Sequence, residues 1–364
     1  IRDLHRMVHG DDFVWEGREE DLDWILKVLE KEYELKNRGR PGFGPKDVRK
    51  IDILGRVIEL TDKGIKLSGD PRHQQLLEEH FGMKSDTKVL SKNGYDDEPR
   101  QDDDTNEELD TEEGKVFRGL AARLNYMAQD NLLLQFPAKE ICKNMSRPRR
   151  HDFYKVKRLV RFLKGIGTVS LFYEWQTEEE ARLVTVYVDS DWAGCRGTRR
   201  STSGGVLIVG KHVLRTWSCT QSTVATSSGE AELISMFEGA TRGCGMQAIM
   251  AEMGLLPSLS VLGVATDSSV AKSFVATRGV GKMRHLEVKL LWLQEQVRRQ
   301  RLRVSKVRGT VNIADALTKY HAVHKLAELC KPHGVLIADR TEDAVDPRGG
   351  VDGKGQPHPS GERV

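Results

Sequence analysis

The chain has 364 residues, enough for two or three folded domains, with an ordinary apolar fraction of 38%. No apolar run reaches the length of a bilayer-spanning helix, and the five cysteines (Cys142, Cys195, Cys219, Cys244, Cys330) form no C-x-x-C pair. Those two features exclude a helical membrane anchor, a zinc ribbon and a disulfide framework, and they suit a reducing, intracellular compartment.

The net charge of +3 hides a segregation. Asp96 to Glu113 holds eleven acids against one arginine, which leaves +13 on the rest of the chain, a balance suited to a polyanionic partner. No signal peptide opens the chain, and its first segment reads like the middle of a domain, so a piece of a longer product is expected.

In chain order, Met7 to Trp15 predicts a strand, a turn at Gly10-Asp11-Asp12 and a second strand. Leu22, Ile25, Leu26 and Leu29 then form an apolar stripe on a helix over Glu19–Tyr33. Val48 to Leu67 alternates like paired strands with turns at Gly55 and Asp62-Lys63-Gly64, and Pro71 opens a helix to His80. Lys84 to Glu113 is acidic, lacks periodicity and predicts a disordered linker. Helical spacing returns over Val116–Tyr126 and Asp152–Leu163, the second strongly basic.

After Leu183 three strand-like runs follow, Val184–Ser190, Gly205–Val209 and Val213–Ser218, and then a long helix over Ser228–Met253. A strand (Val261–Thr266), a helix (Ser268–Thr277), a basic helix (Leu286–Arg299), a strand (Leu302–Val307) and a final helix from about Ile313 complete the pattern. Strands first, then alternating strand and helix, predict a mixed sheet flanked by helices. The tail from Thr341 is rich in glycine, proline and charge.

Four carboxylates fall at the ends of these elements: Asp189 after the first strand, Glu232 early in the long helix, Asp267 after the fourth strand, and Asp315 at the start of the last helix. Such positions converge on one sheet edge, and a cluster of oxygen ligands suits hard cations such as Mg²⁺. Two ions about 4 Å apart activate a water and stabilise the leaving oxygen of a phosphodiester. Ser227-Ser228-Gly229-Glu230 predicts a capping box, with Glu230 returning to the backbone of Ser227. Glu232, about 200° further round the helix, is left free. Asp189 and Asp191 share a strand face, so spacing leaves that choice open.

Asp189-Ser190-Asp191-Trp192-Ala193-Gly194 and Arg200-Ser201-Thr202-Ser203-Gly204-Gly205 resemble the start of the ribonuclease H domain of Ty1/copia retrotransposon Pol polyproteins. Ser227–Glu232, Thr266–Ala271 and Asn312–Lys319 continue that resemblance in the same order. It implies an RNase H-like mixed five-stranded sheet and assigns the catalytic, metal-binding carboxylates to Asp189, Glu232, Asp267 and Asp315, choosing Asp189 over Asp191. Cellular RNases H often carry a histidine in the loop before the last helix; Val307–Val311 has none. His285, in Met283-Arg284-His285-Leu286, matches a family segment and is read as structural.

Upstream, Val8-His9-Gly10-Asp11-Asp12-Phe13 resembles the paired-aspartate hairpin of reverse transcriptases, with His9 at the usual tyrosine. Ile53–Ile58, Phe117–Leu120, Leu124–Met127 and Val156–Gly165 resemble later blocks of the same polyproteins. Asp11 and Asp12 are therefore expected to be metal ligands of a second, incomplete site, preceded in the family by fingers and palm, and polymerisation is not expected from this chain alone.

The implied layout is a reverse transcriptase C-terminal part (1–83), an acidic disordered linker (84–113), a helical connection region (114–180), an RNase H-like domain (181–325) and a largely disordered tail (326–364). The implied activity is Mg²⁺-dependent, two-metal hydrolysis of RNA in RNA–DNA hybrids, with Mn²⁺ as a substitute. Arg199, Arg200, Ser268, Lys282 and Arg284 are candidate nucleic-acid contacts, and the remainder of the polyprotein is the implied protein partner. A cytoplasmic virus-like particle or the nucleus is the implied location. The alternative is an inactive, transposon-derived nucleic-acid-binding remnant, against which the intact carboxylate set speaks.

Overall fold

The computed structural model describes residues 4–94, 107–257, 260–280 and 285–338. They fall into two compact units, Ile1–Ile51 and Asp52–Val364.

In the first unit, β1 (Leu4–His9) and β2 (Asp12–Gly17) form an antiparallel hairpin closed by the pair His9 and Asp12. Gly10 takes a φ of +59°, the left-handed turn conformation that glycine adopts without a Cβ clash. Helix α1 (Glu19–Glu32) follows, with three acids in its first turn complementing the helix dipole. Hairpin, turn and helix are as the sequence predicts.

Two five-stranded sheets follow along the chain. The first sheet is antiparallel at its centre and is built from β3 (Lys50–Ile53), β4 (Arg56–Thr61), β5 (Gly64–Gly69), β6 (Val169–Glu174) and β12 (Val335–Ile337), in that order. Helix α2 (Arg72–His80) follows β5, with Pro71 at its entry. Helix α3 (Thr111–Met127) starts inside the expected linker, because Asp110 caps it by accepting from the Glu113 amide at 2.8 Å. Helix α4 (Leu132–Cys142), capped by Asn131, was not predicted, and nor was β6. Helix α5 (Arg150–Ile166) and the single turn α6 (Glu178–Ala181) lead to the second sheet.

That sheet is the expected mixed one. Its order is β9-β8-β7-β10-β11, with β7 (Val184–Asp191), β8 (Thr202–Val209) and β9 (His212–Thr220) antiparallel. The strands β10 (Leu262–Thr266) and β11 (Leu302–Lys306) run parallel to β7. Helix α7 (Ser228–Glu252) connects β9 to β10, and α8 (Ser269–Ala276) and α9 (Leu291–Arg298) lie between β10 and β11. The expected last helix is split, with a 3₁₀ turn at Ile313–Leu317 and then α10 (Val323–Cys330).

Every residue of β8 is buried, because both faces of this sheet are covered. On one face Val186, Val188, Leu207 and Trp217 pack against Leu233, Met236 and Ala240 of α7. On the other, Val206, Ile208 and Val213 join Phe117, Leu124, Leu133, Leu163, Ile313 and Leu317 in one core.

The helices before residue 181 thus supply the apolar layer that this face of the sheet needs. Two expectations change. Residues 84–94 of the expected linker are anchored through Asn93, only 1% exposed, whose amide nitrogen donates to Leu133 O at 3.1 Å. Its Oδ1 accepts from the His321 amide at 2.8 Å. The expected tail is folded as far as residue 338 through α10 and β12; residues 95–106 and 339–364 lie outside the described set. Among the described residues no helix is long and apolar enough to cross a membrane.

Candidate metal centre and nucleic-acid interface

Strand β7 delivers Asp189 to the sheet end, α7 delivers Glu232, and the residue after β10 is Asp267. Carboxylate oxygens of these three lie within 4.8 Å of one another, the one group of three or more potential metal ligands among the described residues.

Each is held by its neighbours. Glu232 Oε1 accepts from Ser190 N at 3.2 Å and from Ser190 Oγ at 2.9 Å. Thr318 donates its hydroxyl to Asp189 Oδ2. Glu232 is 9% exposed, and its Oε2 is buried without a hydrogen-bond partner. A buried anionic oxygen left open beside two further carboxylates is the donor set that a hard divalent cation fits.

The electrostatics agree. Burial, the neighbouring Asp189 and then Asp267 push the Glu232 carboxyl up to about 8, against the hydrogen bonds from Ser190. Burial also pushes Asp189 up to about 7; the Thr318 hydroxyl opposes this while Asp315 and Asp267 add to it. Without a counter-charge this cluster resists full ionisation, a common signature of a functional site.

Asp315, the fourth expected ligand, lies outside the trio although its charge reaches Asp189. It sits in the 3₁₀ turn, where Lys319 pairs with its Oδ1 and His321 Nε2 lies 3.2 Å from its Oδ2. Burial alone would raise its carboxyl, but His321 and Lys319 together hold it below its ordinary value.

The geometry separates Asp189 from Asp191, which spacing could not. Asp191 ends β7, and its side chain fills the space over Gly194, toward Lys139 and away from the trio. The cap of α7 differs by one residue from the expected box. Ser227 Oγ accepts from Glu230 N at 3.2 Å, while Glu230 Oε2 accepts from the Thr226 amide at 2.7 Å rather than from Ser227. Ser227 is still the N-cap, and Glu230 keeps a structural role through the amide one residue upstream. His285 Nε2 lies 2.7 Å from Thr226 Oγ1 and 3.4 Å from Glu230 Oε2, so it belongs to this cap.

In the other unit Asp11 and Asp12 are exposed on the hairpin turn, with Asp12 4.0 Å from Arg38, and neither joins a ligand group among the described residues. Arg199 and Arg200 lie in the loop between β7 and β8, where the Arg199 amide donates to Cys195 O at 2.7 Å and Arg199 has a φ of +55°. Both are exposed and have no ion-pair partner among the described residues.

Ser268 caps α8 by accepting from Ala271 N at 3.1 Å, and Lys282 and Arg284 lie outside the described residues. Among the six Lys and Arg side chains of helix α5, Arg150 pairs with Glu113 of α3, Lys155 with Asp152 of the same helix and Lys164 with Glu78 of α2, each at 3.3 Å. Ser190, Thr318, Lys319 and His321 had no role assigned from the sequence; the first three stand inside the motifs themselves.

No family model matches the chain. An uncharacterized mitochondrial protein of Arabidopsis thaliana is 34% identical over 118 residues, 32% of this chain and 47% of that protein. The retrovirus-related Pol polyprotein from transposon RE1 of the same plant is 25% identical over 205 residues, 56% of this chain and 14% of the polyprotein. The chain therefore spans about half of the first relative and a small part of the second.

Among solved structures, RNase H1 from the halophilic archaeon Halobacterium salinarum is 17% identical, covering 37% of this chain and 93% of that one, with a TM-score of 0.25. LC11-RNase H1 in complex with an RNA/DNA hybrid is 16% identical with the same coverage and a TM-score of 0.26. Over the 205 residues it shares with the transposon RE1 protein, the chain is similar to a retrovirus-related Pol polyprotein.

Proposed function

We propose that the second unit is a ribonuclease H-type nuclease of a copia-type Pol polyprotein, hydrolysing the RNA strand of RNA–DNA hybrids. The observation that carries this reading is the trio Asp189, Glu232 and Asp267, the first two buried, with the Glu232 Oε2 atom left unpartnered. Bound there, Mg²⁺ or Mn²⁺ would lower the pKa of a coordinated water and neutralise charge on a phosphodiester.

The chain's own residues supply the rest. Ser190 and Thr318 fix the carboxylates, so their oxygens need little reorganisation when a cation arrives. Arg199 and Arg200 offer exposed charge to a phosphate backbone, and selectivity for the RNA strand would come from hybrid shape and 2′-hydroxyls. The first unit, with Asp11 and Asp12, is read as the end of a reverse transcriptase palm whose other parts belong to the longer polyprotein. The proposed setting is intracellular, in a virus-like particle or the nucleus.

The test is incubation of the whole chain with a labelled RNA–DNA hybrid and Mg²⁺. Cutting of the RNA strand in the hybrid, with single-stranded RNA spared and Asp267→Asn inactive, is expected. Absence of hybrid-selective cutting, or an unimpaired Asp267→Asn, overturns the proposal in favour of a silent nucleic-acid-binding protein.

A further inference from the structure

Asp315 is the carboxylate that the sequence pattern adds to the trio, yet both of its oxygens are engaged by basic side chains. Lys319, one helical turn on, pairs with Oδ1; His321 Nε2 lies 3.2 Å from Oδ2 and 3.1 Å from the Asp315 carbonyl oxygen.

His321 is fixed from behind, since its amide donates to Asn93 Oδ1 at 2.8 Å and its carbonyl accepts from Asn93 N at 3.1 Å. Lys319 is different: its side chain is 56% exposed, while its charge is felt by Asp189 and Asp267 as well as by Asp315. One half-exposed ammonium thus pairs with Asp315 while its charge reaches Asp189 and Asp267, and it is carried on a flexible four-carbon stem.

We infer that Lys319 is the built-in counter-ion of this site: a positioning residue that holds Asp315 back, leaves a one-cation site at Asp189, Glu232 and Asp267, and must swing away before Asp315 can help to hold a second cation. The inference rests on the metal-centre reading above and adds a division of labour to it. The trio sets the strong cation site, and Lys319 sets how weak the second one is. It also accounts for how this many carboxylates stay folded together, since the ammonium supplies part of the charge that a second ion would bring.

The test reads metal binding directly, by calorimetric titration of Mn²⁺ into chelator-treated, full-length protein. The proteins compared are the wild type, Lys319→Met, Lys319→Gln, Lys319→Arg and Asp267→Asn. Removing one positive charge a few ångströms from a partly solvated site should tighten the weak cation about tenfold, on the scale expected for a near-surface charge pair. The strong cation should change by less than about threefold, because its ligands are unaltered. Lys319→Arg, which keeps the charge, should titrate like the wild type, whereas a merely structural lysine would give one response for all three variants.

Wild-type and Lys319→Met isotherms that superimpose, while Asp267→Asn loses the strong cation, overturn the role of Lys319 and leave the metal centre standing. A wild type that takes up no Mn²⁺ overturns both. The Gln variant guards against misfolding specific to Met.

Discussion

Asp189→Asn, made in chelator-treated protein, measures what the ionised carboxylate cluster costs the fold. Burial and its neighbours push the Asp189 carboxyl from 3.8 up to about 7. A rise of roughly three units, at about 1.4 kcal/mol each, sets a ceiling near 4 kcal/mol on the cost of ionising it in the folded chain.

The folded value lies above the unfolded one. The stability from the neutral carboxyl is therefore fully present below about pH 4 and is lost as pH rises through about 7. Asparagine is neutral throughout and can still accept from the Thr318 hydroxyl, although its amide hydrogens need partners among the remaining carboxylates. About half of the ceiling is then recovered, so the variant should gain roughly 2 kcal/mol at about pH 8 and close to nothing at about pH 5.

Urea denaturation with a chelator at about pH 5, 6.5 and 8 reads this directly. Saturating Mg²⁺ should reverse the ranking at high pH, because only the wild type keeps the full site. A variant no more stable at pH 8, or equally stabilised at both ends, refutes the reasoning.

Two further predictions concern packing. Gly243 and Gly245 lie two residues apart on α7, and each gains about 1 kcal/mol of helix propensity on changing to alanine. At Gly245 a Cβ meets nothing within 4 Å, so Gly245→Ala should raise the melting temperature. At Gly243 it meets Leu262 at 2.7 Å and Val186 at 2.9 Å, both fully buried, and overpacking of about 1–3 kcal/mol should leave Gly243→Ala less stable. Thermal melts that move in the same direction would contradict this. Asn93→Ala strands the Leu133 carbonyl and the His321 amide, and should cost about 1–3 kcal/mol in a urea titration. An unchanged midpoint would mean that 84–94 is not anchored through Asn93.

Much of the site was legible because its ligands occupy positions with strong local grammar. Asp189 lies near the end of one apolar strand and Asp267 just after another, and Glu232 follows a serine cap. Spacing alone did not separate Asp189 from Asp191, since both fall on one face of β7, and only the resemblance chose between them. Asp315 was placed in a helix because Ile313-Ala314-Asp315-Ala316-Leu317 spaces its apolar residues helically, yet the segment forms a 3₁₀ turn.

Helix α4 escaped because its polar side is narrow, only Gln135, Lys139 and Glu140 interrupting an apolar run. Leu132, Leu133, Leu134, Phe136, Pro137, Ala138 and Ile141 are all buried, and the proline reads as a breaker. Strands β6 and β12 owe their structure to partners far away in sequence. β6 pairs with β5 about a hundred residues earlier, and three-residue β12 carries too little pattern to register.

The pairing of β12 with β6 also sets an order of events during synthesis. Residues 175–334, the whole mixed sheet included, emerge between those two neighbouring strands. Until residue 337 has left the ribosome, β6 presents an open edge, with Ser170 and Leu171 unpaired on that side. The last described strand is therefore the slowest to find its place and the one whose delay leaves the nascent chain most exposed to wrong pairing. A chain stalled or cut anywhere in that interval would carry a sheet edge ready to pair with another copy.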